Sequence, residues 1–472
     1  MRSRGVVAVV SVILAFLLAY PVCAADKGDL TGDGSVDMDD LSVMAGAWLT
    51  DSTLADLAPI AGNPNVSISD GDGIVDNKDL ALLAENWRNE SLTVSSNALD
   101  YSLQQILDTH DTEWGTDRYP SRTIQGGYYA WDRAYHKSEP DYPEGTECWT
   151  LGFYPGCLWY MYELTGDDSI KAKARLWTER IESQKNNTVF GDQGFVLMCS
   201  FGQGYRLGGS ECNYYKDVVI TGANSLATRY NPVVGCIDSW DWGGYATKFT
   251  TIIDTMMNIE ILFWASKNGG GQNLYDIAVN HAYKTRDYLV REDGSNCNIV
   301  TFSETTGLPI EWECTAATPW SRGQAWGVYG FTMTYRETGD PNFLETAQAM
   351  ADYFLDHLPS DMVPPQNFNT TQYKDSSASA ITAAGLLELC TLVTDPCDQE
   401  RYYNKAKEIL TSLSTRYWDG GYMGNDSDVC ILREVNGGIS SIWGWIYADY
   451  YFVEALMRYY ELTGWPEPLP PE

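Results

Sequence analysis

From about residue 97 onward, apolar residues recur every three or four positions, the spacing that gathers them on one face of an α-helix. The segments are punctuated, and they predict helices near 98–110, 149–164, 168–186, 192–206, 211–229 and 249–268. Six more follow near 273–290, 321–337, 341–357, 376–394, 398–417 and 443–463. One kind of joint is used three times, in "MYELTGDDSIKAKA" (161–174), "TYRETGDPNFLETA" (334–347) and "RYYELTGW" (458–465). Each places a glycine where a helix ends in a left-handed cap. In the first two an aspartate then starts a new helix, and Pro341 follows the N-cap Asp340 at a position where proline is tolerated. Little of this region alternates as a strand would. Twelve helices make six hairpins, and six hairpins of this length close into an all-α, (α/α)6 toroid of inner and outer helices. An open solenoid is the alternative, disfavoured by how degenerate the repeats are.

Residues 1–97 break the pattern. Positions 1–24 carry two early arginines, an apolar run and a V-C-A end, the form of a signal peptide cleaved after Ala24. Export of a soluble protein, to the periplasm or beyond the cell, is the expectation. "DLTGDGSVDMDDL" (29–41) and "ISDGDGIVDNKDL" (68–80) then match at a fixed offset of 39 that holds as far as Trp48 and Trp87. In the first loop Asp29, Thr31, Asp33, the Ser35 carbonyl, Asp37 and Asp40 fall at loop positions 1, 3, 5, 7, 9 and 12. Those offsets wrap oxygens around Ca²⁺, with Gly34 making the sharp turn. The second loop offers Asp70, Asp72, Asp76 and Asp79, but Ile68 stands at position 1, where an acid is expected. Thirteen acids against two lysines between Asp26 and Trp87 also favour a cation-bound module over an acidic linker. The paired loops resemble the dockerin module, over about residues 26–88. That resemblance implies a cohesin-like partner. Residues 89–97 read as linker, 98–466 as the toroid and 467–472 as a tail.

The whole chain has a formal charge of −33, which nearly excludes a nucleic-acid binder because phosphate contacts need a basic surface. The same field repels long polyanions, so an acidic substrate would be short or held by a local cationic pocket. Ten of the 11 cysteines remain once Cys23 is cleaved off. They are scattered without a CxxC pair, which argues against zinc and leaves disulfides and buried thiols equally open.

Candidate chemistry concentrates in a few segments. Asp254 lies in "FTTIIDTMMNIEILFWAS" (249–266), a mostly apolar stretch without lysine or arginine. Read as helix, it has Thr250 one turn before and Asn258 one turn after, while its apolar neighbours keep water away. Such surroundings raise a carboxyl pKa toward neutrality and suit a general acid. The plainer alternative is an aspartate that satisfies nearby backbone. Trp149, Trp240, Trp320 and Trp326 sit in segments that mix tryptophan with polar groups, and each reads equally as core or as a platform for a sugar ring.

"WTLGFYPGCLWYMYELTGD", "DQGF", "YNPVVGCIDSWD", "IIDTMMN", "WSRGQAWGVYGF" and "DSSASAITAAGLLEL" together resemble the unsaturated glucuronyl hydrolases, glycoside hydrolase family 88, over about residues 98–463. The resemblance implies the (α/α)6 toroid and a cofactor-free reaction. A 4,5-unsaturated uronic acid would be removed from the non-reducing end of lyase-generated oligosaccharides by hydration of the double bond. It casts Asp254 as general acid/base and Asp192 as the second acid. Trp149, Trp240, Trp320, Gln324, Trp326 and Asn298 become substrate contacts, and Arg322 becomes the donor to the substrate carboxylate. Arg322 could equally brace a helix start. Gly191 and Asn298 stand where the family often has histidine, which points to altered specificity. The related unsaturated rhamnogalacturonyl hydrolases, or a silent carbohydrate-binding scaffold, are the competing readings.

Overall fold

The computed structural model describes residues 149–240, 245, 247–312, 319–371, 373–417 and 444–464, with parts of 102–133 and 431–435. The signal peptide, both calcium loops, the linker and the tail lie outside the described residues. The chain divides into two units, 1–93 with 395–398 and 94–394 with 399–472. The fold below is that of the second.

Helices dominate it, and they are of two kinds. The helices α1 (Phe153–Thr165), α8 (Ser321–Thr338), α10 (Ser376–Leu392) and α12 (Ile446–Thr463) are buried along most of their length, on every face. That is the pattern of a helix surrounded by others. By contrast α7 (Gln272–Leu289) and α9 (Pro341–Asp356) bury one stripe each. In α9 the stripe is Phe343, Thr346, Ala347, Met350, Ala351 and Phe354, spaced by threes and fours. The first kind forms an inner ring. It runs from α1 to a π-helix (Gly194–Gly202), to α5 (Thr255–Asn258) with α6 (Glu260–Ala265), then to α8, α10 and α12, which packs back on α1. Outside it pack α2 (Asp168–Glu179) on α1, α4 (Tyr215–Ala227) on the π-helix, α7 on α6 and α9 on α8. α3 (Gln203–Leu207) continues the π-helix, and α11 (Pro396–Ser412) follows α10.

Two of the three joints form as expected, whereas Gly464 ends α12 at φ 89° and ψ 143°, outside the left-handed helical cap. Gly166 and Gly339 take left-handed conformations at φ 67° and 68°, and Asp167 and Asp340 cap the next helices by accepting from Ser169 and Asn342 N–H groups.

One expectation fails. The predicted helix 249–268 begins as strand β5 (Phe249–Ile252), because Thr250, Thr251 and Ile252 are β-branched and fit a pleated surface better than a helix. Two short hairpins precede it, β1 (Arg118–Thr123) with β2 (Tyr129–Arg133) and β3 (Tyr230–Asn231) with β4 (Cys236–Ile237). β5 pairs antiparallel with β6 (Ile299–Phe302), which pairs with β7 (Pro309–Trp312). Among the described residues, five cysteines are free buried thiols and Cys297 and Cys397 are disulfide-bonded, so both alternatives are realised.

Candidate active site

Asp254 follows β5 at the strand-to-helix turn. Ile252 pairs with Ile299 across the sheet, and the next backbone bond runs from the Ile253 N–H to the Asn298 carbonyl at 3.1 Å. Sheet register therefore sets Asn298 beside the residue that precedes the acid. Asp254 stands at the N-terminus of α5, yet its side chain makes no capping bond, and its buried Oδ1 accepts no hydrogen bond. Thr250 is not its partner: it lies in the strand and bonds Asp238 and Thr301.

The second acid arrives from the loop before the π-helix. Asn258, on α5, joins the two. Its amide nitrogen donates to Asp192 Oδ1 at 3.1 Å and to the Asp254 carbonyl oxygen at 3.4 Å, while its Oδ1 accepts from Phe195 N–H at 2.9 Å. This approach requires glycine at 194, where a Cβ would lie 2.5 Å from Asn258 Cα. Ser239 ties the same two segments, accepting from Gly191 N–H through its carbonyl and from Ile252 N–H through its hydroxyl. A Cβ at Gly191 would approach Ser239 backbone to 3.2 Å, so glycine here eases this contact.

Both carboxyls are partly accessible in the residue sense but are hemmed in by apolar groups, and both bind protons more tightly than usual. Burial pushes Asp254 up to about 6, against the pull of the Arg322 guanidinium, its own backbone N–H and the Trp326 indole N–H. Burial and then the negative charge of Asp254 push Asp192 up to about 7, with the Asn258 bond and Arg229 pulling down. Both groups therefore exchange protons close to neutrality, the condition for general acid–base work.

Arg322 supplies the positive charge. It lies in the first turn of α8, buried, with Nη1 donating to Asp375 Oδ2 at 3.0 Å. Its guanidinium stacks on Trp320 at 4.7 Å and on Tyr447 at 5.2 Å. Asp375 in turn accepts from Ser377. Its pairing with Asp375 in the first turn of α8 fits an arginine that braces a helix start, and it also places a cation beside Asp254.

The tryptophans divide. Trp149 and Trp320 are half-buried, Trp149 against Phe153, Phe195 and Tyr447, and Trp240 is half-buried beside Tyr245. Trp326 is fully buried between Phe195 and Tyr451, so it is core rather than a sugar platform. Gln324 is also not a substrate contact. It donates to the carbonyls of Gly294 and Met350 and accepts from Asn296 N–H, which exhausts its donors in a fully buried position. Asn298 keeps an unpartnered Oδ1, compatible with its expected role.

Sequence reasoning missed Tyr447 and Asn296. Tyr447 opens α12, is 1% exposed, and sits beside Arg322, Asp375 and Ser377 with its hydroxyl in no well-formed hydrogen bond. Asn296 is 2% exposed, with neither side-chain polar atom bonded, against the first turn of α8 at Gly323. The signal available for Tyr447 was only an aromatic-rich helix start, indistinguishable from core.

The chain matches no family model. It is similar to an unsaturated glucuronyl hydrolase of Formosa agariphila, at 37% identity over 334 residues, covering 66% of this chain and 79% of that protein. The unsaturated glucuronyl hydrolase of Bacillus sp. is 34% identical over 66% of this chain and 85% of its own. An unsaturated chondroitin disaccharide hydrolase of Streptococcus pyogenes is 28% identical over 78% and 91%. Among solved structures, an unsaturated glucuronyl hydrolase specific for heparin superposes with a TM-score of 0.70 at 32% identity, over 78% of this chain and 97% of that one. The Bacillus sp. structure gives 0.68 at 30%, over 77% and 96%. These neighbours agree with the closed ring of inner helices described above.

Proposed function

The chain belongs to the unsaturated glucuronyl hydrolases, and from that premise we propose how its own residues remove an unsaturated uronic acid from an oligosaccharide. The substrate is an enol ether, with its double bond between C4 and C5 at the non-reducing end. Asp254 delivers a proton to C4, leaving a cation at C5 that the ring oxygen stabilises. Water adds at C5 and returns its proton to Asp254. The hemiketal opens at the ring oxygen, and the hemiacetal left at C1 releases the rest of the sugar chain. No bond to the anomeric carbon is attacked directly, unlike the usual two-carboxylate glycosidase.

The observation that carries this reading is the unpartnered, buried Oδ1 of Asp254, whose carboxyl holds its proton to about 6. Asp192, bonded through Asn258, supports the reacting sugar through its hydroxyls and shares the pair's charge. Arg322 meets the substrate carboxylate. Trp149, Trp240 and Trp320 offer half-buried ring faces to the sugars. With Gly191 and Asn298 in place of histidines, specificity among uronyl substrates is altered.

The test follows the ultraviolet absorbance of the conjugated double bond in lyase-generated disaccharides. Native protein removes it and Asp254→Asn does not. Persistence of the signal across glucuronyl, sulfated and rhamnogalacturonyl substrates would overturn the reading in favour of a silent binding scaffold.

For residues 1–97 the proposal rests on sequence. Positions 1–24 direct export, and the oxygen donors of residues 29–40 and 70–79 suit a hard cation such as Ca²⁺. The folded module would attach the enzyme to a cohesin-like protein. Calcium titration of the full chain, read by circular dichroism and by affinity for a cohesin, tests both parts.

A further inference from the structure

Arg322 faces three ionisable groups, one from the start of each of three other inner elements. Asp254 comes from α5, Asp375 from α10 and Tyr447 from α12. The two carboxyls are not treated alike. Arg322 Nη1 donates to Asp375 Oδ2 at 3.0 Å, whereas the buried Oδ1 of Asp254 has no hydrogen-bond partner among the described residues.

Asp375 is held for that bond. It stands at the N-cap of α10, where an aspartate ordinarily accepts from a helix N–H, yet its side chain makes no capping bond. Oδ1 accepts from the Ser377 hydroxyl instead, Oδ2 accepts from Arg322, and the Asp375 N–H donates to the Pro364 carbonyl at 2.9 Å. The carboxyl is fully buried, and the Arg322 side chain is only 11% exposed. The rings of Trp320 and Tyr447 lie against the guanidinium at 4.7 and 5.2 Å.

Magnitude gives this pairing its meaning. An arginine beside a carboxylate lowers its pKa by about one to three units when nothing else claims the cation. At that strength Arg322 would keep Asp254 ionised well below neutrality and leave it without a proton to give. A buried carboxylate bonded to the guanidinium offsets much of its field at neighbouring groups, because the surroundings screen poorly. Asp254 does keep its proton to about 6.

We propose that Asp375 is a positioning residue for the reaction: it fixes the Arg322 fork against Trp320 and Tyr447 and offsets its charge, so that the arginine meets the substrate carboxylate without stripping the proton from Asp254. This rests on Asp254 being the acid and Arg322 the donor to the substrate.

The test is the pH dependence of kcat/KM for Asp375→Asn, read by loss of the double-bond absorbance. Asparagine keeps an oxygen for Arg322 Nη1 and removes the charge. The alkaline limb moves to lower pH by about half a unit to one unit, so kcat/KM falls about three- to tenfold at pH 7.5, and the deficit narrows as pH is lowered. Asp375→Glu, which restores the charge, returns the limb toward its native position. Asp375→Ala, which also frees the fork, raises KM about tenfold. The double variant Arg322→Gln/Asp375→Asn leaves no buried charge unpaired and answers the same question if Asp375→Asn does not fold: its limb lies at lower pH than that of Arg322→Gln alone. A limb that stays in place, one that moves to higher pH, or a deficit equal at every pH would overturn the proposal, since a merely structural defect lowers all rates alike. Native protein that turns over no unsaturated substrate would overturn the underlying reading with it, whereas native turnover with an unmoved limb overturns this inference alone.

Discussion

Asn258 and Asp192 lie 66 positions apart in the chain and are joined by a 3.1 Å hydrogen bond from the amide to the carboxyl. The same amide reaches the backbone of Asp254 and the N–H of Phe195, so one side chain fixes where both acids stand. Buried amides that bond at both ends are worth more than either bond alone, because losing the side chain strands every partner.

Replacing Asn258 by leucine is therefore expected to destabilise the protein by about 1–3 kcal/mol, from the unsatisfied Phe195 N–H and Asp192 carboxyl. It also removes a bond that favours ionised Asp192, so that acid holds its proton to still higher pH. Urea unfolding and a pH–rate profile of the same variant read the two effects separately.

The alkaline limb of activity reports the acid. Asp254 must be protonated to act, and its carboxyl titrates near 6, so kcat/KM in the free enzyme falls as pH rises through that value. Arg322 pulls this pKa down. Arg322→Gln is expected to move the limb to higher pH, even as the variant loses affinity for the substrate carboxylate. An unmoved limb would show that the arginine does not act on Asp254.

The acid pair also carries a stability consequence. An acid whose folded pKa is raised above its unfolded value, about 3.9, contributes stability fully present below that value and lost as pH rises through the folded pKa. Above pH 7 both carboxyls weigh against folding. Asp254→Asn is expected to stabilise the protein by on the order of 2 kcal/mol at pH 8 and hardly at all at pH 4, while abolishing turnover. Melting temperatures of the two proteins at both pH values decide it.

Tyr447→Phe removes one oxygen and leaves the packing against Trp149 and Arg322 intact. The hydroxyl is buried beside the Arg322 guanidinium. If it bonds bound substrate, KM rises or kcat falls about tenfold while the melting temperature stays within a degree or two, the loss of one hydrogen bond to a charged group. Kinetics within twofold of native would assign Tyr447 to packing.

Gln324→Ala should behave oppositely. It strands the carbonyls of Gly294 and Met350 and the N–H of Asn296. The expected loss is about 1–3 kcal/mol or more of stability, measured by denaturant unfolding, with any activity loss following from it.

The chain by itself determined the helices, their glycine joints and the outer stripes, because those follow from local spacing and capping. It also marked Asp254, since an acid in an apolar run is conspicuous wherever the run folds. Local spacing could not see that "FTTI" would become a strand, because β-branched residues satisfy either pattern until a partner strand, β6, is present to pair with. Nor could it see that Gln324 spends its donors internally, that Trp326 is core, or that Tyr447 stands beside Arg322. Those facts depend on which groups meet across tens or hundreds of positions. The pKa values of the two acids belong to the same class: they arise from burial, and for Asp192 from the charge of Asp254 as well. Only the closed ring of helices brings residues 192 and 254 onto opposite sides of one asparagine.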